Sequence, residues 1–215
     1  MARRIIFIGE DAKVGCSSMC TMLACGLVEC GKKVVVIDLC VGDNLTSLWG
    51  LENVVKYDIF DVLCNKCRIN QALLSVNMPL LFCLPSAENT KTIGDYSKFF
   101  EIVEELSSCF DFILLDCPTY FFPQFYVEAE VILVSVLENL VSLEKLISVL
   151  VGNKNTTVRI LLNKCKWLTN KNIKGIDCFF RVPKIRNFFQ LISKSLNGEI
   201  SPLIKKLTSA FLGGK

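Results

Sequence analysis

Not one of the 215 residues is a histidine. That absence excludes Ser-His-Asp triads, Cys-His nucleophile pairs and histidine-ligated zinc sites together. Any chemistry here must run on carboxylates, lysine, serine or cysteine. Proline is also scarce, with six residues, and no Pro/Gly-rich linker, low-complexity stretch or internal repeat divides the chain. One domain over residues 1–215 is expected. No uncharged apolar run approaches the ~18 residues that span a bilayer, although mean hydropathy is high at +0.45. The start, Met1-Ala2-Arg3-Arg4, precedes too short an apolar stretch for a secretory leader. The expected location is the cytoplasm, with peripheral attachment to a membrane as the alternative.

What the chain does have is cysteine, twelve residues of it. In a reducing compartment these read as small core residues, as at Cys83, Cys109 and Cys117 inside apolar runs. Cys64-Asn65-Lys66-Cys67 is a single CxxC, two soft ligands where zinc or an iron–sulfur cluster takes four, and no metal site is assigned. Charge is uneven. Residues 1–150 carry 11 Lys/Arg against 19 Asp/Glu, and residues 151–215 carry 13 against 2. Such a basic third, interleaved with Trp167, Phe179, Phe180, Phe188 and Phe189, suits either a solvated face or contact with DNA phosphates or an anionic membrane.

Apolar runs at Arg3–Gly9, Lys33–Asp38, Leu80–Leu84, Phe110–Asp116, Val131–Val136, Val158–Asn163 and, more weakly, Asp177–Val182 read as strands buried on both faces. Helix-length segments such as Ile93–Ser107 and Asn139–Val151 alternate with them. The pattern predicts an α/β fold, a doubly wound and mainly parallel sheet flanked by helices. A last amphipathic helix is expected over Pro202–Leu212, with Leu203, Ile204, Leu207, Ala210 and Phe211 on one face. Core packing is preferred there over a membrane surface.

In such a sheet, ligands bind beyond the carboxyl ends of the strands. Three loops stand there: Glu10 to Ser17, Asp38 to Gly42 and Asp116 to Tyr120. The first lies between a strand and a helix N-terminus, an arrangement that binds phosphate through backbone N–H groups. Its Ser17 holds the hydroxyl position that serves Mg²⁺ in a P-loop, but the preceding lysine position is Cys16.

Together with Gly31-Lys32-Lys33-Val34-Val35-Val36-Ile37-Asp38, Tyr57-Asp58-Ile59-Phe60-Asp61-Val62-Leu63, Asn70-Gln71-Ala72-Leu73 and Leu84-Pro85-Ser86, this loop resembles the MinD/ParA family of deviant Walker ATPases. The resemblance is strongest over residues 1–90. It implies a P-loop NTPase fold and a dimerising ATPase that positions division sites, plasmids or other cargo. The family loop reads K-G-G-x-G-K-[ST]. Here Asp11 and Cys16 occupy the two lysine positions, and Ala12 and Lys13 replace the adjacent glycines. The second Asp of the family's D-x-D-x-G is Cys40, and Tyr120 takes a glycine-like place near the γ-phosphate. Gly15, Ser17, Ser18, Asp38, Asp116 and Asn163 match, the last where the family contacts adenine.

The candidate cofactor-binding set is therefore Gly15, Cys16, Ser17, Ser18, Asp38, Asp116 and Asn163, with no catalytic residue assigned. A hydrogen bond to a charged group contributes roughly 1.5–3 kcal/mol, so losing two lysine contacts weakens phosphate binding by about 10²-fold or more. The expected cofactor, Mg-ATP or Mg-ADP, is weakly bound or lost. The preferred expectation is a cell-division or positioning protein that acts as a scaffold for protein partners, or as a homodimer. The alternatives are an active ATP-dependent dimerisation switch, using Lys13 or a partner's arginine, and a DNA- or membrane-binding module built on residues 151–215.

Overall fold

The computed structural model describes residues 1–11, 13–40, 45–86, 96–118, 129–136, 147, 157–165 and 178–213. Eight strands run in chain order: β1 (Arg3–Gly9), β2 (Val34–Asp38), β3 (Leu74–Ser75), β4 (Leu81–Leu84), β5 (Phe112–Cys117), β6 (Glu130–Val136), β7 (Thr157–Cys165) and β8 (Cys178–Pro183). Helices α1 (Cys16–Glu29), α2 (Leu45–Leu48), α3 (Ile59–Leu63), α4 (Ile69–Ala72), α5 (Tyr96–Ser107), α6 (Phe188–Leu196) and α7 (Pro202–Leu212) lie between and after them.

The strands form one sheet in the order β3-β4-β2-β5-β1-β6-β7-β8. Every pairing is parallel except β3 with β4. The expected mainly parallel sheet is therefore observed, with one short antiparallel strand at its edge.

The apolar runs explain the layering. Successive side chains of a strand point to opposite faces, so Ile5 and Phe7 enter one core while Ile6 and Ile8 enter the other. Val34 and Val36 likewise oppose Val35 and Ile37. On the first face α1 is wedged against α6 and α7, and ten of its residues, Met19 to Val28, are buried. α1 has no charged residue before Glu29, as befits a helix surrounded by apolar neighbours. Gly26 permits its closest contact, because a Cβ there would lie 1.8 Å from the Thr208 hydroxyl on α7. On the second face α5 buries Phe99, Ile102, Val103 and Leu106.

α7 is held by local signals as well as by packing. The Ser201 hydroxyl accepts from the Ile204 N–H, Pro202 opens the helix and Gly213 ends it in the left-handed region. Ile204, Leu207 and Phe211 are buried in the core, so its apolar stripe does not form an open surface.

Several expectations are adjusted. α5 is described from Tyr96, so Ile93 to Asp95 lie outside the described residues, as does the helix expected over 139–151 apart from Ile147. Lys166, Trp167, Lys171 and Lys174 also lie outside them. Cys109 is exposed at the end of α5 rather than in the core, whereas Cys83 and Cys117 are buried. Cys64 is exposed and Cys67 half-buried. No helix among the described residues is long and apolar enough to cross a membrane.

Candidate functional site

The loop after β1 is fastened from two sides. The Glu10 N–H donates to the Val134 carbonyl at 3.2 Å, and its carboxylate accepts from the Val136 N–H at 2.9 Å. Glu10, which the sequence offers as negative charge at an anion site, is thus a buried anchor to β6. From the other side, the Asn163 amide at the end of β7 donates to the Val14 carbonyl at 2.7 Å. Its oxygen accepts from the Lys164 N–H at 2.8 Å, and the Lys164 ammonium donates to the Lys13 carbonyl. The side chain expected to meet a base therefore holds the loop.

Gly15 is required twice over. Its φ of 96° lies in the left-handed region, and a Cβ would stand 2.4 Å from Asn163 Nδ2. α1 begins at the next residue, and its first three residues, Cys16 to Ser18, line the pocket.

Beneath the loop, β2 and β5 place Asp38 opposite Asp116 in register. Both side chains are fully buried. Asp38 is well supported: one oxygen accepts from the Cys40 N–H at 3.1 Å, the other from the Thr46 N–H at 2.9 Å and hydroxyl at 2.7 Å. That hydroxyl in turn accepts from the Ser86 N–H at 3.2 Å. Asp116 differs, because neither carboxylate oxygen has a hydrogen-bond partner among the described residues. The Ser17 hydroxyl and Cys16 thiol stand close enough to favour its charged form, but neither closes a bond of good geometry.

Burial pushes Asp38 up to about 7, helped by the repulsion of Asp116 and opposed by the bonds from Thr46 and Cys40. Burial likewise pushes Asp116 up to about 6. The two titrate as a pair. Cys16, Cys20, Cys40, Cys83 and Cys117 surround them, and burial first, then the nearby carboxylates, hold these thiols well above their usual range.

A cavity of about 880 Å³ opens over this floor. Gly15, Cys16, Ser17, Ser18 and Asn163 line it, with Lys13, Lys164 and Lys184 contributing positive charge and Asp11 negative charge. Pro183, Ile185, Phe188 and Phe189 wall its far end. Asp38 and Asp116 lie beneath it, while Cys40 and Cys117 reach its surface. The structure thus gathers all seven candidate residues around one pocket. Gly42 and Tyr120 lie outside the described residues. Sequence reading missed Thr46 as the support of Asp38, because nothing in a residue eight positions away marks it as a partner. It also missed the convergence of Cys40 with Asp116, which only the strand register creates.

A family model described as an AAA domain matches residues 2–160. The septum site-determining protein MinD of Helicobacter pylori is 37% identical over 121 residues, covering 55% of this chain and 45% of that protein. The chain belongs to the MinD/ParA family. The match spans just under half the length of that curated relative. Two solved structures share the P-loop NTPase fold of this MinD/ParA chain. MinD from the Aquifex aeolicus MinC:MinD complex gives a TM-score of 0.79 at 22% identity, covering 100% of this chain and 97% of that one. MinD from Pyrococcus horikoshii, complexed with Mg-ADP, gives 0.77 at 20% identity, covering 100% and 98%.

Proposed function

We propose that this MinD/ParA protein serves in septum-site or cargo positioning, with a nucleotide pocket that keeps its backbone cradle but lacks the charges that hydrolysis uses. It acts through protein partners or a second copy of itself, in the cytoplasm or at a membrane surface. One observation carries the reading: the loop after β1 places a half-buried thiol, Cys16, beside Asp116 where the family loop has a lysine. No cation is among the causes that shift Asp38 or Asp116.

Mg-ADP or Mg-ATP fits part of this site. The helix N-terminus after Gly15 offers N–H donors, Ser17 offers a hydroxyl, and Asp116 offers a buried carboxylate without a hydrogen-bond partner. The backbone of Gly15 to Ser18 would take the phosphates, and Ser17 with Asp116 would hold Mg²⁺. The apolar wall at Pro183, Ile185 and Phe188 suits a base. Bound Mg²⁺ supplies neutralisation of phosphate charge. Among the described residues nothing supplies the second, buried positive charge that a phosphoryl-transfer transition state requires. The Mg-ADP of the P. horikoshii relative and the MinC partner of the A. aeolicus relative support a nucleotide and a protein partner respectively.

A second reading keeps hydrolysis. Lys13 lines the pocket with φ of 68°, and a side chain so placed would substitute for the missing lysine by turning inward.

Calorimetry with Mg-ADP and Mg-ATP, paired with a phosphate-release assay, tests both. Saturable binding that Ser17→Ala weakens about tenfold, without phosphate release, is the expected result. Turnover by the unmodified protein that Lys13→Ala abolishes would overturn the scaffold reading in favour of the second.

A further inference from the structure

We propose that the floor of the pocket is a binding site for a thiophilic divalent cation, with zinc held by Asp38, Cys40 and Asp116. The ligand atoms of Asp38, Cys40 and Asp116 all lie within 4.8 Å of one another. Asp116 has no exposed surface, and both of its oxygens lack hydrogen-bond partners among the described residues. A carboxylate so placed leaves a large desolvation cost uncompensated, and a cation between it and Asp38 offsets that cost. The fourth position opens to the pocket, whose surface Cys40 reaches, and a solvent molecule would fill it.

The donor set chooses the metal. Mg²⁺ takes an octahedral shell of oxygens and has little affinity for sulfur. One sulfur and two carboxylate oxygens with an open fourth position suit a four-coordinate zinc ion, the Cys40 thiol releasing its proton to solvent as its Zn–S bond forms. The surroundings are built to orient these ligands. Asp38 is fixed by Thr46, which Ser86 fixes in turn, and such outer-shell bonds aim first ligands. The Cys40 thiol is directed at the Asp116 backbone carbonyl at 3.7 Å. The pocket provides the entry path.

This site does not rest on nucleotide binding, since its three ligands come from the chain; it shares Asp116 with the Mg²⁺ position proposed above, so the two ions would compete for that carboxylate. Chelator-treated protein titrated with cobalt(II), followed by zinc competition, tests it. One cobalt per chain is expected, with sulfur-to-cobalt charge-transfer absorption and the intense visible bands of a four-coordinate ion. Zinc displaces it and excess Mg²⁺ does not. Cys40→Ser should weaken zinc about 100-fold or more, beyond the 10–100-fold typical of outer-shell losses, with unchanged circular dichroism. The double variant Cys64→Ser/Cys67→Ser retains the signal. Absence of the sulfur band, displacement by Mg²⁺, retention of the band in Cys40→Ser, or its loss with the Cys64/Cys67 pair would each overturn the proposal. If Cys40→Ser does not fold, Asp116→Asn decides: it should weaken cobalt by the same measure, and undiminished binding would overturn the proposal.

Discussion

Asp116 is the residue whose surroundings ask most of it. It sits opposite Asp38, has no exposed surface and receives no hydrogen bond among the described residues. Its carboxyl titrates near 6 and that of Asp38 near 7, both above the ordinary value of ~4. A carboxyl raised in the folded state binds protons that the unfolded chain has already lost. The stabilisation from these groups is therefore complete below pH ~4 and is lost as pH rises through 6 to 7. Asp116→Asn removes one charge and the repulsion on Asp38. Urea unfolding in the presence of chelator should show the variant more stable than the parent by about 1–3 kcal/mol at pH 8, and close to it at pH 4. A variant less stable at pH 8 would contradict the assigned cause.

Much of this site was legible by residue type, since Gly15, Ser17, Asp38 and Asp116 stand where the loop pattern puts them. What was not legible is the meaning of the departures. Cys16 and Cys40 read in one dimension as two independent losses of charge. Only the α1 N-terminus and the parallel register of β2 with β5 bring both thiols to the same carboxylate.

At the scale of elements, α1 and α7 set each other's position through the absence of a side chain at Gly26. In an isolated helix, replacing glycine by alanine gains about 1 kcal/mol. Here the new methyl would occupy the space of the Thr208 hydroxyl, which already donates to the Ile204 carbonyl. Gly26→Ala is expected to destabilise the fold by about 1–3 kcal/mol in chemical denaturation, the cost of overpacking. A stabilised variant would mean that the two helices separate freely. The same contact explains why the Pro202–Leu212 stripe faces the core.

The central strands were readable because continuous Ile, Val, Leu and Phe runs leave few alternatives; β1 has its expected bounds, and no other end shifts by more than two residues. β3 was not readable, because two residues carry no periodicity and are a strand only by pairing with β4. α6 was hidden by composition. Phe188, Leu191, Ile192 and Leu196 do recur at helical spacing and pack into the core, but they sit within a basic stretch that drew the reading toward a charged surface, and Phe189 beside them is 77% exposed.

For the whole molecule, the charge imbalance between the first 150 residues and the rest is partly resolved inside the fold. Arg159 of the basic third reaches Glu130 at 2.8 Å, and Arg3 reaches the same carboxylate at 2.6 Å. Lys205 approaches Glu29 at 3.4 Å. Both arginines also lie over the Phe211 ring, at 4.5 Å for Arg3 and 5.5 Å for Arg159. Glu130 thereby joins the N-terminal strand, the basic third and α7 at one buried point. Glu130→Gln leaves two guanidinium groups facing each other without their counter-charge, and about 1–3 kcal/mol of stability should be lost, less than for a fully buried pair because both arginines keep contact with water. Thermal melts at low and high salt check this: the deficit should shrink as salt rises. A deficit indifferent to salt would point to lost packing instead.

The strand order also sets a timetable for synthesis. β1 is made early, yet its two neighbours in the sheet are β5 and β6, residues 112–117 and 130–136. Until the ribosome has delivered both, the apolar strand Arg3–Gly9 has no edge to join, and β2 waits for β4 and β5 in the same way. Long-range parallel pairing of this kind closes late and slowly. More than half of the chain must therefore emerge before the loop at Gly15 can take shape, and the nascent protein passes through an interval in which its most apolar segments lack their native cover.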